Sequence, residues 1–184
     1  MTISLRLPEE MTATITPSTT TYCEWDIVTL TASATGGDAN YTYAWTPAIG
    51  LNSTTSASVE VSTEELNYAY SVFVTDGNGC TATFDYTLPE PSHLQVTTAE
   101  QASVTCSGFS NGAVVATAAD GIENYTYLWD NGVTTALNEN IPAGTYTVTV
   151  TDAYNCTATS TITITEPVVL ALTEVSVTMP LCNQ

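Results

Sequence analysis

Basic side chains are almost absent: Arg6 is the only one, there is no lysine, and nineteen acids leave a formal charge of −18. Such a chain cannot neutralise phosphates, which excludes nucleic acid and anionic lipid surfaces as direct partners. Without lysine there is no Schiff-base chemistry, and with His93 as the sole histidine, directly after Pro89-Glu90-Pro91, there is no Ser-His-Asp constellation; it reads as a surface linker residue. No C-x-x-C pair suggests zinc, and no glycine-rich phosphate loop or cofactor motif occurs. A module of the size described below has no room for a deep cleft between paired carboxylates, so the expectation is a segment that is not an enzyme. Apolar runs of bilayer length and convincing helical periods are also missing, apart from one helical turn that Thr63-Glu64-Glu65-Leu66 could start. The opening MTISLRLPEE has no signal-peptide pattern.

What is present is repetition. Pro8 to Cys23, Pro91 to Cys106 and Pro167 to Cys182 are each fifteen residues apart, Asp76 to Cys80 and Asp152 to Cys156 four, and Cys80 to Pro91 and Cys156 to Pro167 eleven. Internal periodicity of this kind takes precedence over any local motif. The chain therefore reads as an excerpt from a longer tandem array. Residues 1–9 are the end of a preceding module, 10–90 and 91–167 two complete modules, and 168–184 the first strand of a truncated third.

Units of 83 and 76 residues have difficulty stabilising themselves by a core alone, and cysteines are the expected supplement. Cys23 with Cys80 and Cys106 with Cys156 would enclose one module each, with Cys182 unpaired by truncation. Loops of that length are worth about 4 kcal/mol each, and such bridges imply an oxidising compartment outside the cytoplasm. One tension accompanies this pairing. An even count of alternating strands between the two cysteines lets the bridge close, yet brings both ends of a module to the same side, which suits an end-to-end rod badly.

Period-two alternation dominates the strands. Tyr146, Val148 and Val150 share one face and Thr145, Thr147, Thr149 and Thr151 the other, and Tyr70, Val72 and Val74 are the counterparts in the first module. Further strands are expected over 27–33, 41–46, 56–61, 80–88, 94–105, 112–119, 125–130, 134–138 and 156–165. Turn chemistry separates them, as at Asp76-Gly77-Asn78-Gly79, Asp120-Gly121 and Asn131-Gly132. Six or seven short strands per module predict an all-β fold of tandem immunoglobulin-like β-sandwiches joined end to end by stiff Pro89-Glu90-Pro91 and Glu166-Pro167 linkers.

Tyr41, Tyr43 and Trp45, and likewise Tyr125, Tyr127 and Trp129, fall on one strand face, where packing across the sandwich is the first use and a platform for sugar rings the second. Trp25, beside Cys23 and unmatched in the second module, is the other ligand candidate with Trp129. Oxygen donors Asp76, Asn78, Asp152 and Asn155 lie in two hairpins before cysteines. They are ordinary turn formers and equally candidate ligands for calcium, the one cofactor the sequence invites.

The second module runs Val104-Thr-Cys106-Ser-Gly-Phe-Ser-Asn-Gly112, Tyr125-Thr-Tyr-Leu-Trp129-Asp-Asn-Gly132 and Pro142-Ala-Gly-Thr-Tyr-Thr-Val-Thr-Val-Thr-Asp152, and closes at Cys156-Thr-Ala-Thr. It resembles the SprB-type repeats of gliding Bacteroidetes adhesins. The first module, with Tyr41-Thr-Tyr-Ala-Trp45-Thr-Pro47 and Val74-Thr-Asp-Gly-Asn-Gly-Cys80, is similar to the same family and equally to PKD-like domains. It departs in its longer stretch from Trp45 to Asp76, 31 residues against 23 from Trp129 to Asp152. The resemblance implies export by the type IX secretion system, display on the outer cell surface, and the motility machinery as a partner. The expected role is a non-catalytic spacer or adhesive rod that meets neighbouring repeats and a surface polysaccharide or substratum. Two alternatives remain open: an accessory carbohydrate-binding array of a secreted polysaccharide-degrading enzyme, and a calcium-stiffened extender.

Overall fold

The computed structural model describes residues 9–63 and 69–169. The expectations for residues 1–8, for the Thr63–Leu66 turn beyond Thr63, and for the third-module strand with Cys182 lie outside the described residues, except for Val168 and Val169 at its start. Twelve strands are present among the described residues: β1 Thr12–Pro17, β2 Ile27–Thr35, β3 Thr42–Thr46, β4 Ser58–Ser62, β5 Ala69–Thr75, β6 Thr81–Thr87, β7 Gln95–Ala102, β8 Gly112–Ala119, β9 Thr126–Trp129, β10 Leu137–Ile141, β11 Gly144–Thr151 and β12 Thr157–Ile164. They form four three-stranded sheets in the orders β1-β2-β4, β3-β5-β6, β10-β8-β7 and β12-β11-β9. The order of the first two sheets is repeated by the last two, so each sequence repeat folds into the same immunoglobulin-like pair of sheets. The chain divides into two compact units. One holds the residues up to Gln95 with Ala118–Tyr125 and Thr151–Ala158; the other holds Val96–Thr117, Thr126–Val150 and the residues from Thr159 onward.

The alternation read from the sequence sets which face is buried. Tyr70, Val72 and Val74 on β5 are buried, as are Val28, Leu30 and Ala32 on β2 and Val59 and Val61 on β4, and Trp45 closes this first core. Tyr146, Val148 and Val150 on β11 are buried as the counterpart, as are Val114, Ala116, Trp129 and Ile164. The opposite faces carry hydroxyls that bond across strands: Thr145 with Thr163 at 3.0 Å, Thr147 with Thr161 at 3.0 Å, and Thr12 with Thr35 at 2.8 Å. Buried tyrosine hydroxyls find carbonyls. Tyr146 donates to Pro142 at 2.8 Å, the local loop closure that fixes the start of β11, and burial first and Asp130 second push its phenol up.

Strand registers explain why Cys23 does not reach Cys80. Pairing of Pro17 with Leu30 and of Ile27 with Ser62 places the Cys23 turn at the end of the first sandwich where β1 finishes and β2 starts. Pairing of Thr42 with Thr75 places the start of β3 and the finish of β5, and so the hairpin to Cys80, at the opposite end. Residues 47–57 carry the chain back along the sandwich without joining a sheet order, held by a Leu51–Val61 bridge and a Trp45 N–H to Thr54 bond of 2.8 Å. That return makes an odd number of traverses where the sequence reading counted an even one. A strand as long as β5, seven residues, spans about 23 Å, far beyond the roughly 7 Å that a disulfide tolerates between Cα atoms. The odd count also resolves the tension over the module ends, since the chain enters the first sandwich at Thr12 and leaves at Thr87 on the far side.

Replacing Leu30, wholly buried on β2, with alanine is expected to lower unfolding stability by about 2–5 kcal/mol, and Thr31→Ala on the outer face by less than about 1 kcal/mol. Chemical denaturation of the two variants checks the assignment of faces.

Candidate functional site

The site is built on two kinds of loop. The first is a corner: after β1 the chain reaches Cys23, whose carbonyl accepts the N–H of Asp26 at 3.2 Å, with Trp25 at a left-handed φ of 74°. The Asp26 carboxylate completes the corner by accepting the Cys23 N–H at 2.8 Å. The second is a hairpin between β11 and β12, folded around one side chain. Asp152 Oδ1 accepts the N–H groups of Tyr154 and Cys156, both at 2.9 Å, and backbone bonds join Asp152 N–H to Cys156 O at 3.0 Å and Asn155 N–H to Asp152 O at 3.1 Å. Asn155 holds the left-handed position, φ 64°.

Corner and hairpin are bonded to each other. Cys23 and Cys156 form a disulfide with a Cα–Cα distance of 5.5 Å and a sequence separation of 133. Cys80 and Cys106 are free and exposed. The within-module pairs Cys23–Cys80 and Cys106–Cys156 are thus both replaced, the first for the topological reason given above and the second because Cys156 is taken by Cys23. A cysteine of the first repeat is bonded instead to one of the second.

Ser92 packs beside the bridge. It lies parallel to Cys23, its N–H bonding Tyr22 O at 3.0 Å and its carbonyl accepting the Glu24 N–H at 3.0 Å. The Ser92 hydroxyl donates to Asp152 Oδ2, which also takes the Ile122 N–H at 3.1 Å. Burial pushes the Asp152 carboxyl up, but the Ser92 hydroxyl and the three N–H donors outweigh it and hold it below the usual range. Tyr22, buried beneath, donates to the Pro89 carbonyl, and burial first, then the neighbouring Tyr86, Tyr70 and Tyr154, pushes its phenol to about 12. His93 is not the surface linker residue expected. It is half-buried, with Nδ1 3.2 Å from Glu24 Oε2 and its own N–H on the Asp120 carbonyl at 3.2 Å.

The calcium candidates have other work. Asp152 is fully engaged as described, and Asp76 does the same for its own hairpin, accepting Asn78, Cys80 and Asp38 N–H groups at 3.0, 2.7 and 3.1 Å. Asn78 and Asn155 shape those turns, and the two hairpins share no cluster; among the described residues no group of three or more acidic, histidine or cysteine side chains is arranged to hold a metal. Trp129 is 1% exposed, with Nε1 donating to Thr135 O at 3.0 Å, so it is a core residue rather than a ligand platform. Trp25 is 65% exposed and lines, with Ser92, Leu94 and Thr157, a shallow groove over the disulfide.

Residues 98–134 match the SprB repeat family model. The match falls inside the second repeat and covers the Cys106 corner and the strand of Trp129. No curated protein matches the chain. Among solved structures, it is similar to the C-terminal 282-residue fragment of intimin, solved with the intimin-binding domain of the translocated intimin receptor: 21% identity, 82% of this chain, 63% of that chain, TM-score 0.54. It is also similar to the three N-terminal domains of the highly immunogenic outer capsid protein of bacteriophage RB49: 23% identity, 84% of this chain, 58% of that chain, TM-score 0.49. The chain therefore spans about 60% of the length of these two structures. At 21% identity the likeness to the intimin fragment is one of fold, the immunoglobulin-like sandwich. The SprB repeat together with the disulfide fits an adhesin-related module of an oxidising, extracellular setting.

Peptide mapping without reduction is expected to recover a fragment joining Cys23 to Cys156, and its reduction to remove up to about 5 kcal/mol of stability for a closed loop of this length. The lowered carboxyl of Asp152 contributes stability that is complete above its unfolded value near 4 and lost as pH falls through the folded one. Acid unfolding of Asp152→Asn should therefore show a shallower pH dependence below about pH 4 than the parent, with a loss of roughly 2–3 kcal/mol at neutral pH. Excess calcium or chelator should leave the melting temperature unchanged in both.

Proposed function

We propose that this chain is a non-catalytic segment of a large cell-surface adhesin, in which the sandwich modules act as a semi-rigid spacer. The observation that carries this reading is the SprB repeat match at residues 98–134, set in a fold whose disulfide joins one repeat to the next. A surface of threonine hydroxyls and carboxylates, with no lysine, supports it: such a polymer stays solvated and repels its own copies. Gliding motility, export by the type IX system and contact with a substratum follow from the resemblance to SprB-type repeats and belong to the same proposal. Antibodies raised against the chain should label intact, unpermeabilised cells of its source. Signal only after lysis would sink the surface reading.

A second reading is favoured by one residue. Trp25 presents an indole to solvent beside the covalent bridge, at a backbone angle that β-carbon-bearing side chains rarely adopt. A rigid exposed aromatic suits the face of a sugar ring, which would make the segment a polysaccharide-binding accessory module. Retention on polysaccharide affinity gels that disappears in Trp25→Ala, with its melting curve unchanged, is the expected result. Equal mobility of parent and variant on every gel would dispose of this second reading.

A further inference from the structure

Cys80 and Cys106 carry the same local structures as the two cysteines that are bonded. The Cys106 carbonyl accepts the Phe109 N–H at 3.1 Å and Gly108 sits at φ 81°, repeating the Cys23 corner with its Asp26 bond of 3.2 Å and Trp25 at 74°. Around Cys80, Asp76 Oδ1 accepts the N–H groups of Asn78 and Cys80, Asp76 N–H meets Cys80 O at 2.9 Å, and Gly79 sits at φ 85°. Every one of these bonds has its counterpart in the Cys156 hairpin. The repeat thus owns one corner cysteine and one hairpin cysteine, and the observed bond joins the corner of one repeat to the hairpin of the next.

The surface beside Cys80 repeats the hairpin side of that joint. At the closed joint, Ser92, His93, Leu94, Cys156 and Thr157 line the groove that meets Cys23, Glu24 and Trp25. Their repeat equivalents Glu9, Glu10, Met11, Cys80 and Thr81 line a groove of about 450 Å³ in which no corner is seated among the described residues. Charge selects what fits it. His93 faces Glu24 across the closed joint at 3.2 Å, whereas the equivalent of His93 is Glu10, which would repel an acid there. The Cys106 corner has Ser107 in place of Glu24, and the carboxylate beside it, Glu166, already accepts two donors of the corner itself. It is also held ready: Ser107 Oγ and Gly108 N–H both donate to Glu166 at 2.7 Å, which fixes the loop before any partner arrives and keeps the Glu166 carboxyl low.

We propose that Cys80 is the docking site for a corner cysteine of the Cys106 kind from another repeat, and that Cys106 in turn bonds the hairpin cysteine of a further repeat. Disulfides would then chain successive repeats corner to hairpin. Two thiols lose two protons and two electrons as the sulfur–sulfur bond forms, and a small disulfide such as oxidised glutathione takes them by exchange, leaving two small thiols. The contact is heterologous, one kind of surface meeting another, so it leaves an unused half at each end to which a further repeat can add. It stands independently of the surface reading, because it needs only an oxidising solution.

The test uses two full-length chains, each with Cys182→Ser, one carrying Cys80→Ser and the other Cys106→Ser. Mixed in equal amounts at high salt with oxidised and reduced glutathione, they are scored by non-reducing electrophoresis and peptide mapping. The mixed Cys80–Cys106 product is expected to exceed either homodimer at least tenfold. Thr81→Trp, which fills the groove from an exposed position, should return the products to the random 1:2:1 ratio, as should denaturant. A random ratio between the folded chains, or no cross-linked product, would overturn the proposal, as would a preference unaffected by Thr81→Trp.

Discussion

One buried carboxylate holds the bonded region together. Asp152 receives hydrogen bonds from Tyr154 and Cys156 in its own hairpin, from Ile122 in the loop between β8 and β9, and from Ser92 just past the proline linker. These four donors come from three stretches of chain, of which only the Ile122 loop and the Asp152 hairpin are brought together by strand pairing, that of β9 with β11. A charged acceptor with its lone pairs filled by fixed donors tolerates burial, while the same group with one donor withdrawn does not, so each segment is held by the cost of leaving the others. The disulfide acts on top of this arrangement. Its sulfurs come within bonding reach because the carboxylate has already shaped the loop that presents Cys156.

Much of the architecture was legible in the residues. Alternation on β5 and β11 identified the buried faces, and Gly112–Ala119 was placed to the residue because a glycine start and an Asp-Gly stop bracket it. The fifteen-residue interval from proline to corner cysteine recurred because each repeat needs the same β1-type strand followed by the same turn. What escaped was connectivity. Residues 47–57 traverse the sandwich without alternation or a sheet place, so no pattern announced them, and the parity error they caused produced the wrong cysteine partners. The sequence contained a clue: a repeat preserves both members of a bond equally well whether the bond lies within one unit or between successive units.

The site was legible in its parts and not in its purpose. Asp76, Asn78, Asp152 and Asn155 stood out as oxygen-rich turns, and the same features that suggest a cation site suit a side chain accepting from its own backbone. What geometry adds is the partners: the carboxylates of Asp76 and Asp152 each accept several backbone N–H groups. Trp129 illustrates the same limit in the core: its neighbours in sequence mark an aromatic face, and the Thr135 carbonyl that satisfies its indole lies on a loop whose path the pattern does not specify.

The 133-residue separation of Cys23 and Cys156 has a mechanical side. Tension applied along the backbone on either side of the bond passes through two sulfurs and bypasses everything from Glu24 to Asn155. At about 3.4 Å per extended residue, some 450 Å of slack is withheld from a pulling force even when every hydrogen bond inside the loop has broken. Under load β1 and β12, outside the bridge, can peel away, but the length inside it is released only by thiol chemistry.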